Sequence, residues 1–197
     1  IFSLVDWDSH GTAFKRLQRQ QQITTAKLIH KLANTNLQNR RYYGKDPTCP
    51  CCSAAKESWE HVLSCPSEEA SNHRTKAMKD MVENLKDIGV PEEILSAVQH
   101  VTTKWIQQRT TPDISIHAQT VGSLKRADVL LTMAFKEQFS TIGWLQLFRG
   151  RLSKYWGKAI AAYLNVPITS NTPHQLVSWL IHYCGSIHGP YGYSATK

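Results

Sequence analysis

Apolar positions along this chain recur mostly at three- and four-residue intervals, and the blocks they form are helix-sized. Phe14, Leu17, Ile23, Ala26, Leu28, Ile29 and Leu32 predict a helix over residues 11–35, with a break near Gln20–Gln22. The polar run Asn34-Thr35-Asn36 ends it, and residues 37–47 read as a linking segment. Ser67, followed by Glu68 and Glu69, predicts an N-cap and an acidic first turn. That helix runs through Met78, Met81, Val82 and Leu85 to about Ile88, and Gly89 stops it. Pro91 opens the next helix, whose stripe of Ile94, Leu95, Val98, Val101, Trp105 and Ile106 ends near Arg109.

Beyond a Thr/Pro/Asp loop at 110–117, the pattern predicts a helix over 123–139 and a break at Ser140–Gly143. One long helix is expected over 144–164, and a last short one over 174–184. Residues 1–10 read as an extended or irregular lead-in, and the Gly-, Ser- and Tyr-rich residues 185–197 as a flexible tail. No alternating strand pattern persists. The expected architecture is all-α: an irregular helical domain of about six helices, with a small zinc-knuckle-like loop near the N-terminal third. The expected division is 1–70 for a basic helix plus zinc-binding module, 71–184 for a helical domain, and 185–197 for the tail.

Candidate chemistry concentrates between Cys49 and Cys65, which hold four of the five cysteines. Cys49, Cys52, His61 and Cys65 give the spacing C-x2-C-x8-H-x3-C, four soft N/S ligands of the kind a tetrahedral zinc ion prefers. Pro50 stiffens the turn between the first two thiols. Trp59–Cys65 lacks Gly and Pro and reads as a short helix, so His61 and Cys65, four apart, share one face. Trp59, Val62 and Leu63 are left to pack that helix onto the rest, and Pro66 ends it. Cys51 is an alternative second ligand through a C-x-C pair that converges less readily, and His73 is a reserve ligand. An odd cysteine count argues against a disulfide framework. Four protein ligands make the expected zinc structural, since no position stays open for a catalytic water.

Charge sharpens the picture. The net charge is +8 over 197 residues, but it is unevenly placed. Residues 1–48 carry eight Lys/Arg against three Asp/Glu, residues 111–165 seven against three, and residues 49–70 one against four. Two basic segments thus flank an acidic metal loop, a surface that attracts RNA or DNA. Candidate phosphate contacts are Arg40, Arg41 and Lys45, with Arg151, Lys154 and Lys158 as a second set on the predicted long helix. Tyr42 and Tyr43 beside the first set are read as a wedge against the core, with base stacking as the alternative. No run of about 18 apolar residues predicts a membrane span. No clustered acids for two-metal chemistry, no glycine-rich phosphate loop, no G-x-S-x-G and no H-E-x-x-H is present, so the segment is read as noncatalytic.

These motifs fall in a characteristic order. Lys27-Leu28-Ile29-His30, Thr35-Asn36, Arg40-Arg41, Cys49-Pro50-x-Cys52 and Glu57…Glu60-His61-Val62-Leu63…Cys65-Pro66 together resemble the zinc-binding region downstream of the reverse transcriptase in non-LTR-type retroelement proteins. The block Ile142-Gly143-Trp144…Phe148-x-Gly150-Arg151-Leu152-Ser153…Trp156, with Ser186-Ile187-His188-Gly189, is similar to the tail of retroelement-derived open reading frames of protists and algae. The resemblance implies an intracellular, nuclear or cytoplasmic protein and a module that binds RNA or DNA. The upstream polymerase domain of the same polypeptide is its second implied partner. A contrasting expectation is a helical scaffold that binds other proteins, with a structural zinc and incidental basicity.

Overall fold

The computed structural model describes residues 1–30, 32, 35–53, 56–108 and 124–186. The expected loop at 110–117, the helix end at Arg109 and the tail beyond 186 lie outside them. The described residues form ten α-helices, one 3-10 turn and one π turn, with no strand among them, so the protein is all-α. None of these helices is long and apolar enough to cross a membrane.

Helix α1 (Trp7–Arg16) starts within the stretch expected to be irregular. Asp6 is the reason: its carboxylate accepts from the Ser9 N–H and caps the helix. Leu17 then turns extended, and the Gln21 side chain reaches back to the Gln18 N–H to start α2 (Arg19–Ile29). The break therefore falls at Leu17–Gln18, earlier than expected. The presumed linker is a helix as well. Thr35 caps α3 (Asn36–Tyr43) by accepting from the Gln38 N–H, and Gly44, at φ +68°, closes it in the left-handed region. The polar run at Thr35–Asn36 starts a helix where an end was expected.

Three helices match their caps. Ser58 caps α4 (Trp59–Ser64), Ser67 caps α5 (Glu68–Asp87), and α6 (Glu92–Gln108) follows Pro91. Helix α7 (Leu124–Glu137) runs into the π turn Gln138–Ile142, and Gly143 at φ +95° ends it. The expected long helix over 144–164 is broken into α8 (Trp144–Leu147) and α9 (Tyr155–Tyr163). Between them Gly150 sits at φ +74°, which glycine adopts without strain, and Val5 pairs with Ser153 as an isolated antiparallel bridge. The fully buried Gln138 fastens this loop, donating to the Arg151 carbonyl at 3.1 Å and accepting from the Ser153 N–H at 3.1 Å. Helix α10 (Asn171–Ser186) completes the fold.

The main core joins Trp59 and Leu63 of α4 to Met81, Leu85 and Ile94 of α5 and α6, and to Phe135 and Trp156 of α7 and α9. Each such large side chain contributes roughly 1.5–3 kcal/mol on burial. Phe135 meets Trp156 edge-to-face at 4.9 Å, and Phe139 stacks on Trp144 at 4.5 Å. Helix α10 lies along α1 and α9. There Ser9, fully buried, bonds both Asp6 and His174 Nδ1, and Arg16 donates to Ser178 while covering the Trp179 ring.

Candidate metal centre

The site grows from two short elements meeting. Asp46 first fixes the approach, accepting from the Thr48 N–H and hydroxyl at 3.0 and 2.7 Å. Thr48 and Lys56 then pair across the loop, and the Glu57 N–H donates to the Pro47 carbonyl at 2.8 Å. Inside this closed loop the Ser53 N–H bonds the Cys49 carbonyl at 2.9 Å, with Ser53 itself at φ +53°. That tight turn points Cys49 and Cys52 inward. Helix α4 supplies the other half. Its cap, Ser58, accepts from the His61 N–H, and Cys65 follows its last turn.

The four donors converge. One ligand atom from each of Cys49, Cys52, His61 and Cys65 lies within 4.8 Å of all the others. Cys49 Sγ and Cys65 Sγ are 3.8 Å apart, and Cys52 Sγ is 3.4 Å from His61 Nε2. A tetrahedral ion with Zn–S near 2.3 Å and Zn–N near 2.05 Å needs S···S edges of about 3.8 Å and S···N edges of about 3.5 Å. These two edges match those values and the other pairs lie within 4.8 Å, so the donor set can close around a zinc-sized tetrahedral ion. The same 3.8 Å separation excludes a Cys49–Cys65 disulfide, whose sulfurs would stand about 2.05 Å apart. The four residues can therefore hold a metal ion.

Cys51 and His73 do not belong to this cluster. Cys51 packs instead beside the buried Cys49, Cys65 and Ala70. The turn geometry thus decides between the two second-ligand alternatives in favour of Cys52.

The surroundings suit a cation. Cys49 and Cys65 are buried, Cys52 and His61 half-buried. Burial pushes the Cys49 thiol up to about 12, opposed by the backbone N–H groups of Cys52 and Cys51 that bond its sulfur. Burial likewise raises the Cys51 thiol, with Cys65 and Glu69 adding to it. Arg74 reaches from α5 to the Cys65 carbonyl at 2.8 Å and clamps the second half of the site.

Helix α3 is tied directly to this module. The Asn36 N–H donates to the Glu57 carboxylate at 2.7 Å, the Leu37 N–H to the Glu57 carbonyl at 3.2 Å, and the Asn36 side chain to the Thr48 carbonyl at 2.9 Å. Buried Glu57 has its carboxyl pushed above the usual range by desolvation, while the Asn36 N–H opposes that rise. Sequence reading had no account of this docking. The helix itself is signalled by Thr35 with Gln38 three residues on, a cap pattern hidden inside a run of polar residues.

The sequence-predicted basic residues part company. Arg40, Arg41 and Lys45 stand exposed at the end of α3 and its turn. Lys154 and Lys158 are exposed at the start of α9, Lys158 lying 4.5 Å over the Tyr155 ring. Arg151 is not on that helix; it is half-buried in the loop before it, bonded to Gln146 Oε1 at 3.1 Å. The second set is therefore not one helical face. Tyr42 and Tyr43 also differ from expectation. They are 60% and 74% exposed, so they do not wedge against the core. Compared with known proteins, the chain matches no family model, no curated protein and no solved structure.

Proposed function

We propose that Cys49, Cys52, His61 and Cys65 hold one structural zinc ion, and that the module so fixed presents α3 to single-stranded RNA or DNA. The observation that carries this reading is the display of bare Tyr42 and Tyr43 beside Arg40 and Arg41 on a helix bonded to the metal loop. Both rings keep most of their surface in water and meet each other edge-to-face at 6.4 Å. Next to guanidinium groups they make a stacking and phosphate-gripping surface. A zinc ion at the four donors supplies cross-linking of the turn to α4, not an open Lewis-acid position. The motif order quoted above supports a wider reading: this is the noncatalytic nucleic-acid-binding segment of a reverse-transcriptase-type retroelement polypeptide.

A labelled single-stranded oligonucleotide followed by fluorescence polarisation tests the proposal. Affinity falls steeply between low and high salt, because phosphate contacts release counterions. The Tyr42→Ala/Tyr43→Ala double variant loses on the order of tenfold or more, since stacking contributes about 1–3 kcal/mol per base. Binding that ignores both salt and the tyrosines removes the reading.

A second reading, a scaffold for another protein, is favoured by Val129 and Met133 of α7, which are 53% and 38% exposed. Val129→Ser/Met133→Ser leaves oligonucleotide binding unchanged under the first reading, and abolishes partner capture only under the second.

A further inference from the structure

The loop between α8 and α9 carries two guanidinium groups whose Nε–H groups meet no acceptor among the described residues. Arg149 is only 4% exposed, and its Nε is buried without an acceptor. The Nε of Arg151 is buried without one too, although its Nη1 reaches Gln146. The two cations repel each other, and Glu60 of α4 attracts Arg149. Among the described residues the ion pairs are Lys76–Asp80 and Lys79–Glu83, and neither involves Arg149. Desolvation is the main influence on the Arg149 guanidinium, holding it below its usual range.

The backbone of the same loop is in the opposite condition. The Arg149, Gly150 and Arg151 N–H groups donate to Gln146, Leu147 and Gln146 carbonyls. The Gly150 carbonyl meets His10 Nδ1 at 2.9 Å, the Arg151 carbonyl meets Gln138, and the Leu152 carbonyl meets the Asp6 N–H at 2.9 Å. Helix α1, the π turn and the N-terminal segment all hold this loop in place. A loop so thoroughly fastened, with two guanidinium Nε–H groups left without an acceptor, is preorganised for something outside the chain. Burying an arginine without a partner is costly, and an arginine does not shed its proton to escape that cost. A neighbouring second guanidinium adds to the penalty.

We propose that Arg149 and Arg151 form an anion site for a phosphate group. Two adjacent guanidinium forks match a tetrahedral oxyanion, which accepts several charge-assisted hydrogen bonds at once. The phosphate comes from a nucleic-acid backbone or from a free phosphate ion. Only the first source rests on the function proposed above.

The test uses the full zinc-loaded chain with inorganic phosphate as probe. Phosphate raises the melting temperature beyond chloride at equal ionic strength, and it shifts the Arg149 Nε–Hε resonance in the wild-type protein. Arg149→Met melts no lower than wild type in phosphate-free buffer, because it removes an unanswered buried charge, and it loses the phosphate-specific rise. An adventitious ion only, seen as equal effects of phosphate and chloride with no Arg149 shift, overturns the site. So does a collapse of Arg149→Met stability in phosphate-free buffer, which would make the guanidinium a structural strut. Oligonucleotide affinity then separates the sources. A loss of about tenfold in Arg149→Met, with a salt slope lower by about one, identifies a backbone phosphodiester. Unchanged affinity with phosphate protection intact in the wild type identifies a free ion. The Tyr42→Ala/Tyr43→Ala protein keeps the phosphate response in either case, so failure of the α3 surface and failure of this site are read apart.

Discussion

At the scale of single residues, the metal loop turns on which of two adjacent thiols faces the common centre. Sequence spacing favours Cys52 and keeps Cys51 as an alternative, because composition does not say which way a turn twists. The left-handed Ser53 and its bond to the Cys49 carbonyl supply that direction, and Cys52 joins the cluster. The rest of the ligand set was legible, since helical spacing alone puts His61 and Cys65 on one face. A direct expectation follows for zinc content measured by elemental analysis. Cys52→Ser loses the ion, while Cys51→Ser retains one per chain. Loss of metal in both, or in neither, would contradict the assignment. Tyr42 and Tyr43 carry the opposite lesson. An aromatic pair in a polar stretch is ordinarily read as inward packing. The docking of Asn36 on Glu57, invisible in any short motif, leaves both rings in solvent.

At the scale of elements, the helices with strong local signals stand where their caps predict. Ser67 with its two glutamates and Pro91 each act within one turn, so sequence suffices. The failure over 144–164 has a tertiary cause. Apolar positions from Trp144 to Tyr163 keep a helical period, yet Gly150 and the Gln138 side chain draw the middle of the block into a loop paired with Val5. No window of that block contains Gln138 or Val5. Helix α9 then locks onto α7 through Tyr163, whose hydroxyl donates to the largely buried Asp128 at 2.5 Å. Burial, and then Asp128, raise the Tyr163 hydroxyl above its ordinary value. A tyrosine raised in the folded state contributes stability that is whole below its unfolded value near 10 and fades as pH climbs through the folded one. Tyr163→Phe should therefore cost about 1–3 kcal/mol in urea unfolding at neutral pH, because Asp128 loses this bond. Its deficit should shrink at strongly alkaline pH. A deficit that grows there would reverse the sign of the argument.

At the scale of the whole molecule, the metal module and the helical core differ in what holds them. Among the described residues the buried apolar cluster around the ligands is Cys49, Cys65 and Ala70, with Cys51 and Cys52 beside it. A cluster that small buries little surface, so under the proposed zinc reading the free energy of ion binding folds the loop. The main core, from Met81 and Ile94 to Phe135, Trp156 and Val177, involves none of the four ligands. Among the described residues of the module, Trp59 and Leu63 of α4 reach into it. Chelation should thus act unevenly. After zinc is stripped, backbone amides of residues 47–53 and of α3 should exchange with deuterium far faster, because the loop that receives Asn36 and Leu37 loosens. Amides of α7 and α9 should keep their protection, and a cooperative thermal transition should survive. Binding of single-stranded oligonucleotide should fall together with the α3 protection, since the same bonds that hold the helix to the loop orient its tyrosines. Uniform loss of protection across α3, α7 and α9 would mean that the ion sustains the entire fold, and the metal loop would then be a keystone for the core instead of a mount for one helix.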